Sequence, residues 1–283
     1  MEEGWRGKKI FNSEKYRQFR RKYGIVLKAG LMALVLAAVK YYIDLNLYSI
    51  VPMNSLITSL VGGIFFIMGI LFAGAIADYK ESEKMPGELS SSIRSIYNDT
   101  KVIPLSTKEG QKILANLRAH AVELLSVLYS NFRRNVWKLK EITIAMDKIT
   151  DDIRQLSESG VAPGFITKFR SELTLIDRYS HRIDTITETT FLPAAYTIAE
   201  TSIISILAVL MFTNFNIGTG AVLIMFVVSA ILISLVFLIK DVDSPFEVND
   251  ASYADVDLSL LFNLEDYLKS ITPGVKEFKP GKD

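Results

Sequence analysis

The chain has 283 residues, 49% of them hydrophobic, with 32 Lys and Arg against 31 Asp and Glu. Its mean hydropathy of +0.26, with the apolar residues gathered in blocks, is too high for an ordinary soluble domain, and its near-neutral charge lacks the basic footprint of a nucleic-acid binder. With no cysteine, only His120 and His181, and no P-loop, GxSxG, HExxH or GxGxxG pattern, the sequence excludes disulfides and thiolate or His-rich metal centres and gives no support to an enzyme.

Residues 1–24 carry Arg6, Lys8, Lys9, Lys15, Arg17, Arg20, Arg21 and Lys22 among Trp5, Phe11, Tyr16 and Phe19. The segment is too long and too aromatic for a signal peptide, and no small-residue cleavage site follows. It reads as an amphipathic helix at the inner leaflet; a disordered basic arm that only sets topology is the plainer alternative. The first span is expected over 25–47. Lys28 can snorkel to the interface, and Tyr41, Tyr42 and Tyr48 form an outer aromatic belt. Lys40 and Asp44 share a helix face near the outer rim, as an ion pair or, less simply, an ion-binding pair.

After an uncharged turn around Pro52, the second span is predicted over 56–77. That run holds no charge for about 22 residues, long enough to cross a hydrocarbon core of about 30 Å. It mixes Gly62, Gly63, Gly69 and Gly74 with Phe65, Phe66 and Phe72. Such a mixture suits close packing among helices or a narrow apolar pore that gates by dewetting. If the helix lines an axis, Val61, Phe65, Gly69 and Phe72 share one face and Gly62, Phe66, Gly69 and Ala73 a competing one. An apolar constriction accounts for aromatic rings alternating with glycine, which selects the first face. The run then switches to Asp78-Tyr-Lys-Glu-Ser-Glu-Lys, and Pro86-Gly87 is expected to end the helix.

Residues 78–192 form a polar, strongly helical insert. Ser106 to Glu109 reads as a capping box that opens one long helix. Its apolar positions recur at three and four from Ile113 to Leu156, and it ends near Gly160. Pro163 opens the next helix, with Phe165, Phe169, Leu173, Ile176, Tyr179, Ile183 and Ile186 on its apolar face; together they make a water-exposed helical hairpin. The third span follows Pro193 over 194–212 and contains Glu200, an intramembrane acid that is either functional or an interfacial residue with a partner. The fourth is predicted over 221–239, so residues 25–77 and 193–240 make two membrane hairpins. Among the Lys and Arg, eight precede the first span, seventeen lie between the second and third, and five run from Lys240 on. The positive-inside rule therefore puts both termini and the insert in the cytosol.

The tail, 241–283, is acidic. Asp243, Asp250, Asp255 and Asp257, with Asn249, are candidate oxygen ligands for calcium. Their spacing is not that of an EF-hand loop, and capping and turn formation is the alternative role.

Two stretches resemble the bestrophin family of ion channels. One is the Gly/Phe span running into a polar segment that ends in Glu83-Lys-Met-Pro86; the other is Asp243-Ser-Pro-Phe-Glu-Val-Asn-Asp250 followed by Asp255-Val-Asp-Leu. Where the family carries paired tryptophans after its pore helix, this chain has Asp78 and Tyr79. Counting back from Pro86, the family's apolar neck falls on Val61, Phe65 and Gly69. The resemblance implies an all-α membrane protein assembled as a homopentamer, multi-pass in the plasma membrane, with five copies of the second span around an axial pore that the cytosolic helices extend. It implies a passive channel for inorganic ions, chloride in many members and cations in some bacterial ones, and no cofactor beyond the calcium already considered. Asp78, Glu81 and Glu83 could form acidic rings at the inner pore mouth, with Lys80 and Lys84 alternating between them. A non-conducting membrane protein whose insert docks or senses is the rival reading. A transporter or intramembrane enzyme built on Lys40, Asp44 and Glu200 is disfavoured, because no inverted repeat is visible.

Overall fold

The computed structural model describes residues 3–46, 48–188, 193–215, 220–246 and 254–272. Eight helices appear among them: α1 (Glu3–Leu45), α2 (Ser55–Asp99), α3 (Lys108–Arg134), α4 (Leu139–Glu158), α5 (Pro163–Glu188), α6 (Pro193–Met211), α7 (Gly220–Val242) and α8 (Ser259–Ile271). Two very short strands, β1 (Val51–Pro52) and β2 (Thr213–Asn214), pair in parallel. Four helical segments are long and apolar enough to cross a membrane: Tyr23–Leu45, the apolar part of α2, Ala194–Met211 and Gly220–Val242.

The chain divides into two compact units. The first comprises residues 1–78, 190–244 and 250–254, and the second residues 79–189, 245–249 and 255–283. Helix α2 contributes to both.

In the first unit α1 lies mainly along α7, with lesser contact to α6. Its buried stripe is Ala29, Ala33 and Ala37. Alanine at every fourth position lets two backbones approach where lipid supplies no hydrophobic drive. On α7 the buried stripe is Ala221, Met225, Ser229 and Leu232, and the Ser229 hydroxyl turns back onto the Met225 carbonyl at 2.6 Å. At one end of the unit the two uncharged turns are pinned together. Val51 pairs with Thr213 and Pro52 with Asn214. Beneath them Lys40 is fully buried; its Nζ donates to Asp44 Oδ1 at 2.7 Å and to the Thr213 carbonyl at 2.6 Å. The Ser49 hydroxyl donates to the same Asp44 oxygen. Lys40 and Asp44 are thus an ion pair that also ties β2 to α1.

The second unit packs α3 against α4 and α8, and α4 against α5. Met85, Leu89, Ile93 and Ile96 of α2 enter its core at spacings of four, four and three. The helix runs unbroken through Pro86, contrary to the sequence expectation. A proline removes one i→i−4 bond and crowds the preceding turn. Here fully buried neighbours on both sides hold the helical path, and the Ser90 hydroxyl donates to the Pro86 carbonyl at 2.7 Å.

The predicted long helix from Ser106 to Gly160 is instead two. Its cap is Thr107 rather than Ser106, accepting from Gly110 N–H at 3.1 Å. A Cβ at Gly110 would come within 2.9 Å of the Thr107 hydroxyl, so the cap itself requires glycine there. The helix stops at Asn135, which adopts a left-handed conformation with φ 52°. Asn131 holds the reversal, accepting from Lys138 N–H at 2.6 Å, and α4 folds back along α3. Across that contact His120 Nδ1 lies 2.6 Å from Asp152 Oδ2, and Lys148 pairs with Glu123 at 2.6 Å. Burial pushes the Asp152 carboxyl above its ordinary value, and His120 opposes that shift. Gly160, with φ +79°, ends α4, and Pro163 opens α5, both as the sequence indicated. The tail adds α8, which the sequence reading did not foresee. Leu261 and Leu268 bury there, and Ser126 of α3 donates to the buried Glu265 at 3.2 Å.

Lys40→Met should lower stability by about 3 kcal/mol, because it leaves the Asp44 carboxylate and the Thr213 carbonyl without their buried donor. Thermal unfolding of the purified protein in detergent measures it. A loss below that of an ordinary surface substitution would show that Lys40 does not hold the two turns together.

Candidate functional site

The second span differs from the other three in how little its own chain covers it. Over the apolar window 17% of its residues are buried, against 28% in each of the others. The covered stripe is Ile57, Met68, Leu71 and Ala75. Next to it, Val61, Phe65 and Phe72 are half-buried and Gly69 is exposed. On the competing face Gly62, Phe66, Gly69 and Ala73 are all exposed, Phe66 to 70%. Gly69 belongs to both faces. A Cβ placed on Gly62, Gly63 or Gly69 meets no atom within 4 Å. Nothing inside a single chain therefore requires these glycines, and whatever close approach they permit is to something outside it.

Below the span, Asp78 is half-buried and Glu81 exposed. Arg182 of α5 grips the Glu81 carboxylate with two hydrogen bonds, Nε at 3.1 Å and Nη2 at 2.7 Å. Those bonds hold the Glu81 carboxyl below its ordinary value, so it stays charged wherever ordinary carboxylates do. Sequence reasoning placed Glu81 at an inner mouth but missed this guanidinium, which lies 101 positions away. Glu200 has a cation of its own: Lys240 Nζ, at the last turn of α7, is 2.5 Å from Glu200 Oε1. Of the two readings offered for Glu200, this geometry matches the interfacial acid with a partner.

Among the described residues no three His, Cys, Asp or Glu side chains come together as a metal site. Asp250 lies outside the described residues. Asp257 Oδ1 accepts from Ser259 N–H at 2.9 Å, a turn bond just ahead of α8, whose N-cap residue is Leu258. Asp255 sits where the chain is stitched into the second unit: its carbonyl faces the Tyr79 hydroxyl at 3.4 Å, and the neighbouring Val256 N–H donates to the Pro245 carbonyl at 2.9 Å. Asp243 follows α7 directly, its backbone N–H bonded to the Ile239 carbonyl at 3.0 Å.

No family model matches the chain, and no curated protein matches its sequence. Its fold, however, is that of solved structures. It superposes on a bacterial bestrophin homologue from Klebsiella pneumoniae, phased with zinc, with a TM-score of 0.72 at 12% identity, covering 87% of this chain and 98% of that one. A single-substitution variant of that homologue gives 0.70 at 14% identity, covering 88% and 99%. A structure described only as a membrane protein gives 0.72 at 12% identity, covering 88% and 98%.

Replacing Asp257 with Ala should cost about 1 kcal/mol through loss of the turn bond that leads into α8. The melting curve of the wild type should be the same in calcium as in chelator. A calcium-dependent rise in melting temperature that disappears in Asp257→Ala would make the tail acids ligands instead of turn residues.

Proposed function

We propose that this chain is one subunit of a passive ion channel, a homopentamer whose axial pore is lined by the apolar part of α2 and which conducts anions such as chloride. The observation that carries this reading is the second span: uncharged, rich in glycine and phenylalanine, and the least covered of four spans in a chain with the fold of bacterial bestrophin homologues. A ring of copies gives that helix neighbours on its open sides and turns one face toward the axis. Val61, Phe65, Gly69 and Phe72 form the constriction. Five Phe65 rings close the axis enough to expel water at rest. Phe66, far more exposed within the chain, meets the neighbouring copy.

Charge at the inner mouth does not oppose anion passage. Asp78, Glu81 and Glu83 alternate with Lys80 and Lys84, and Glu81 is already paired with Arg182. What is left is no net ring of acid to favour cations. In this reading both termini and the helical insert are cytosolic, the turns around Pro52 and Asn216 face outward, and the protein resides in the plasma membrane.

Flux in liposomes decides the central point. Phe65→Ala should raise chloride flux roughly tenfold by removing the dewetted barrier, whereas Phe66→Ala should mainly weaken assembly, seen as smaller particles on size exclusion. Reversed effects would mean that the helix is rotated about its axis; an intact oligomer whose flux ignores both substitutions would remove α2 from the conduction path. A potassium-dominated reversal potential would overturn the anion assignment.

For orientation, a cysteine introduced at Asn216 in this cysteine-free chain should react with an impermeant thiol reagent on intact cells. Labelling only after lysis would invert the topology.

A further inference from the structure

Two series of contacts bring the corner between α3 and α4 close to lipid. Helix α2 runs without a break from its apolar part into the second unit. Glu81 lies three residues past Asp78, where the uncharged run ends, and so about 5 Å farther along the helix axis. Arg182 of α5 grips it. Because α5 leads on to the third span, Ser180, two residues before Arg182, lies about 3 Å farther from the membrane. Its carbonyl accepts from Trp137 Nε1 at 3.1 Å. Trp137, in the corner, therefore sits roughly 8 Å past the hydrocarbon edge, next to a headgroup layer about 5–7 Å deep. The second series agrees. The Phe132 ring lies 5.7 Å from that of Phe246, which follows Val242, the last residue of α7, by four positions.

Helix α3 ends at Arg134 and α4 begins at Leu139, so residues 135–138 are the tip of their hairpin. Phe132 and Trp137 brace it, with ring centroids 5.0 Å apart. Val136 stands out of it, 50% exposed, between exposed Arg133 and Lys140. From residue 124 to residue 146 the chain carries four bases, Arg133, Arg134, Lys138 and Lys140, against the single acid Glu141. Glu141 lies 3.7 Å from Arg134 and 3.5 Å from Lys138. Helix physics accounts for half of these cations. Arg133 and Arg134 occupy the last turn of α3, where the macrodipole favours positive charge. Lys138 and Lys140 stand at the start of α4, where it disfavours them, and Lys138 as N-cap residue gives the helix no side-chain hydrogen bond. Excess cations around an exposed apolar residue, at headgroup depth, complement an anionic leaflet.

We infer that the α3–α4 corner, residues 133–140, docks on the bilayer surface and binds anionic phospholipid headgroups there. Val136 enters the headgroup layer, and Arg133, Lys138 and Lys140 pair with phosphates around it. The inference rests on α2 crossing the membrane and not on conduction. Its test reads contact with lipid and no flux, so its failure leaves the channel assignment standing.

The chain has no cysteine, so Val136→Cys takes a fluorophore at that position alone. The labelled full chain is reconstituted into phosphatidylcholine vesicles whose headgroups carry a nitroxide quencher in both leaflets, with or without added phosphatidylglycerol. At low salt the label should be quenched roughly twofold more when phosphatidylglycerol is present, and the difference should shrink as salt screens the headgroups. Adding R133Q/K138Q/K140Q should abolish the difference. The same label at Val102→Cys, an exposed position just past the end of α2 and about 30 Å along that helix from Asp78, should be quenched little in either vesicle. Equal quenching at Val136 in the two vesicles at low salt would overturn the inference, as would equal quenching at the two label positions. An undiminished difference in the triple variant would overturn it too, by placing the anionic lipid elsewhere. A label at Val136 that is shielded from lipid and transfers energy between subunits would make a neighbouring copy the occupant instead. If the triple variant does not assemble, Lys140→Gln alone should reduce the difference, and an unreduced one overturns the inference.

Discussion

A helix that crosses lipid satisfies its own backbone, so what remains to be decided is what each side of it touches. In this chain α2 poses that question most sharply. Three spans find partners among one another: α1 runs along α7 through an alanine stripe, and α6 joins α7. The apolar half of α2 meets them through little more than Ile57, Met68, Leu71 and Ala75. Lipid could cover the remainder, but lipid does not call for four glycines in one span. Gly62, Gly63 and Gly69 have open space around them in the single chain. Glycine in a helix interior costs roughly 1 kcal/mol relative to alanine where a soluble scale applies. Residues that cost stability and are not needed inside the single chain point to contacts outside it.

The other half of α2 obeys a different rule. From Met85 on it is the buried strut of a water-exposed helical unit, with four large apolar side chains fully covered. One helix therefore carries an open apolar surface at one end and a closed core at the other. The change of environment falls at Asp78 to Lys84, where charges of both signs alternate. Pro86 is tolerated because the core grips the helix on both sides of it. A local preference worth a few kcal/mol loses to the burial of Met85, Leu89 and Ile93, each worth about 2 kcal/mol or more.

That competition also marks the limit of what could be read from the sequence. That the chain holds four apolar candidate spans was legible, because length and absence of charge are properties of the local chain. Gly160 and Pro163 were legible for the same reason: φ beyond zero and a fixed φ favour particular residue types. The break at Asn135 was not, because apolar residues continue at spacings of three and four straight through it. Periodicity cannot distinguish one helix from two that fold back in phase. The evidence was in the pairing of Asn131 with Asn135, a side chain that caps a reversal and a residue tolerant of the left-handed region, but asparagine in a helix is common enough to pass unnoticed. Helix α8 was hidden by its acids. Attention to Asp255 and Asp257 as ligands obscured Leu258, Leu261, Leu264 and Leu268, spaced three, three and four, which read as one apolar stripe once Asp257 is seen as part of the turn before it.

At the candidate site, residue types were legible but their partners were not. An acid at position 81 beneath an apolar span suggests a charged ring, and so does an acid at 200 within a span. Each has a cation brought from far along the chain, Arg182 from α5 and Lys240 from α7. The pairing changes the electrostatic meaning of both positions. A lone carboxylate repeated around a narrow axis would repel anions strongly, since like charges in a low-dielectric constriction are poorly screened. A carboxylate held bidentately by guanidinium presents a dipole instead of a charge. The same residue that in sequence argues for a cation filter thus becomes, in its folded surroundings, a strut between α2 and α5. It fixes the inner end of the open helix and leaves no unpaired charge at that position. The apolar face above it, Val61, Phe65, Gly69 and Phe72, carries no charge either. If that face lines a pore, as proposed, discrimination there rests on the cost of shedding water, which is lower for a large, weakly hydrated anion than for a small cation.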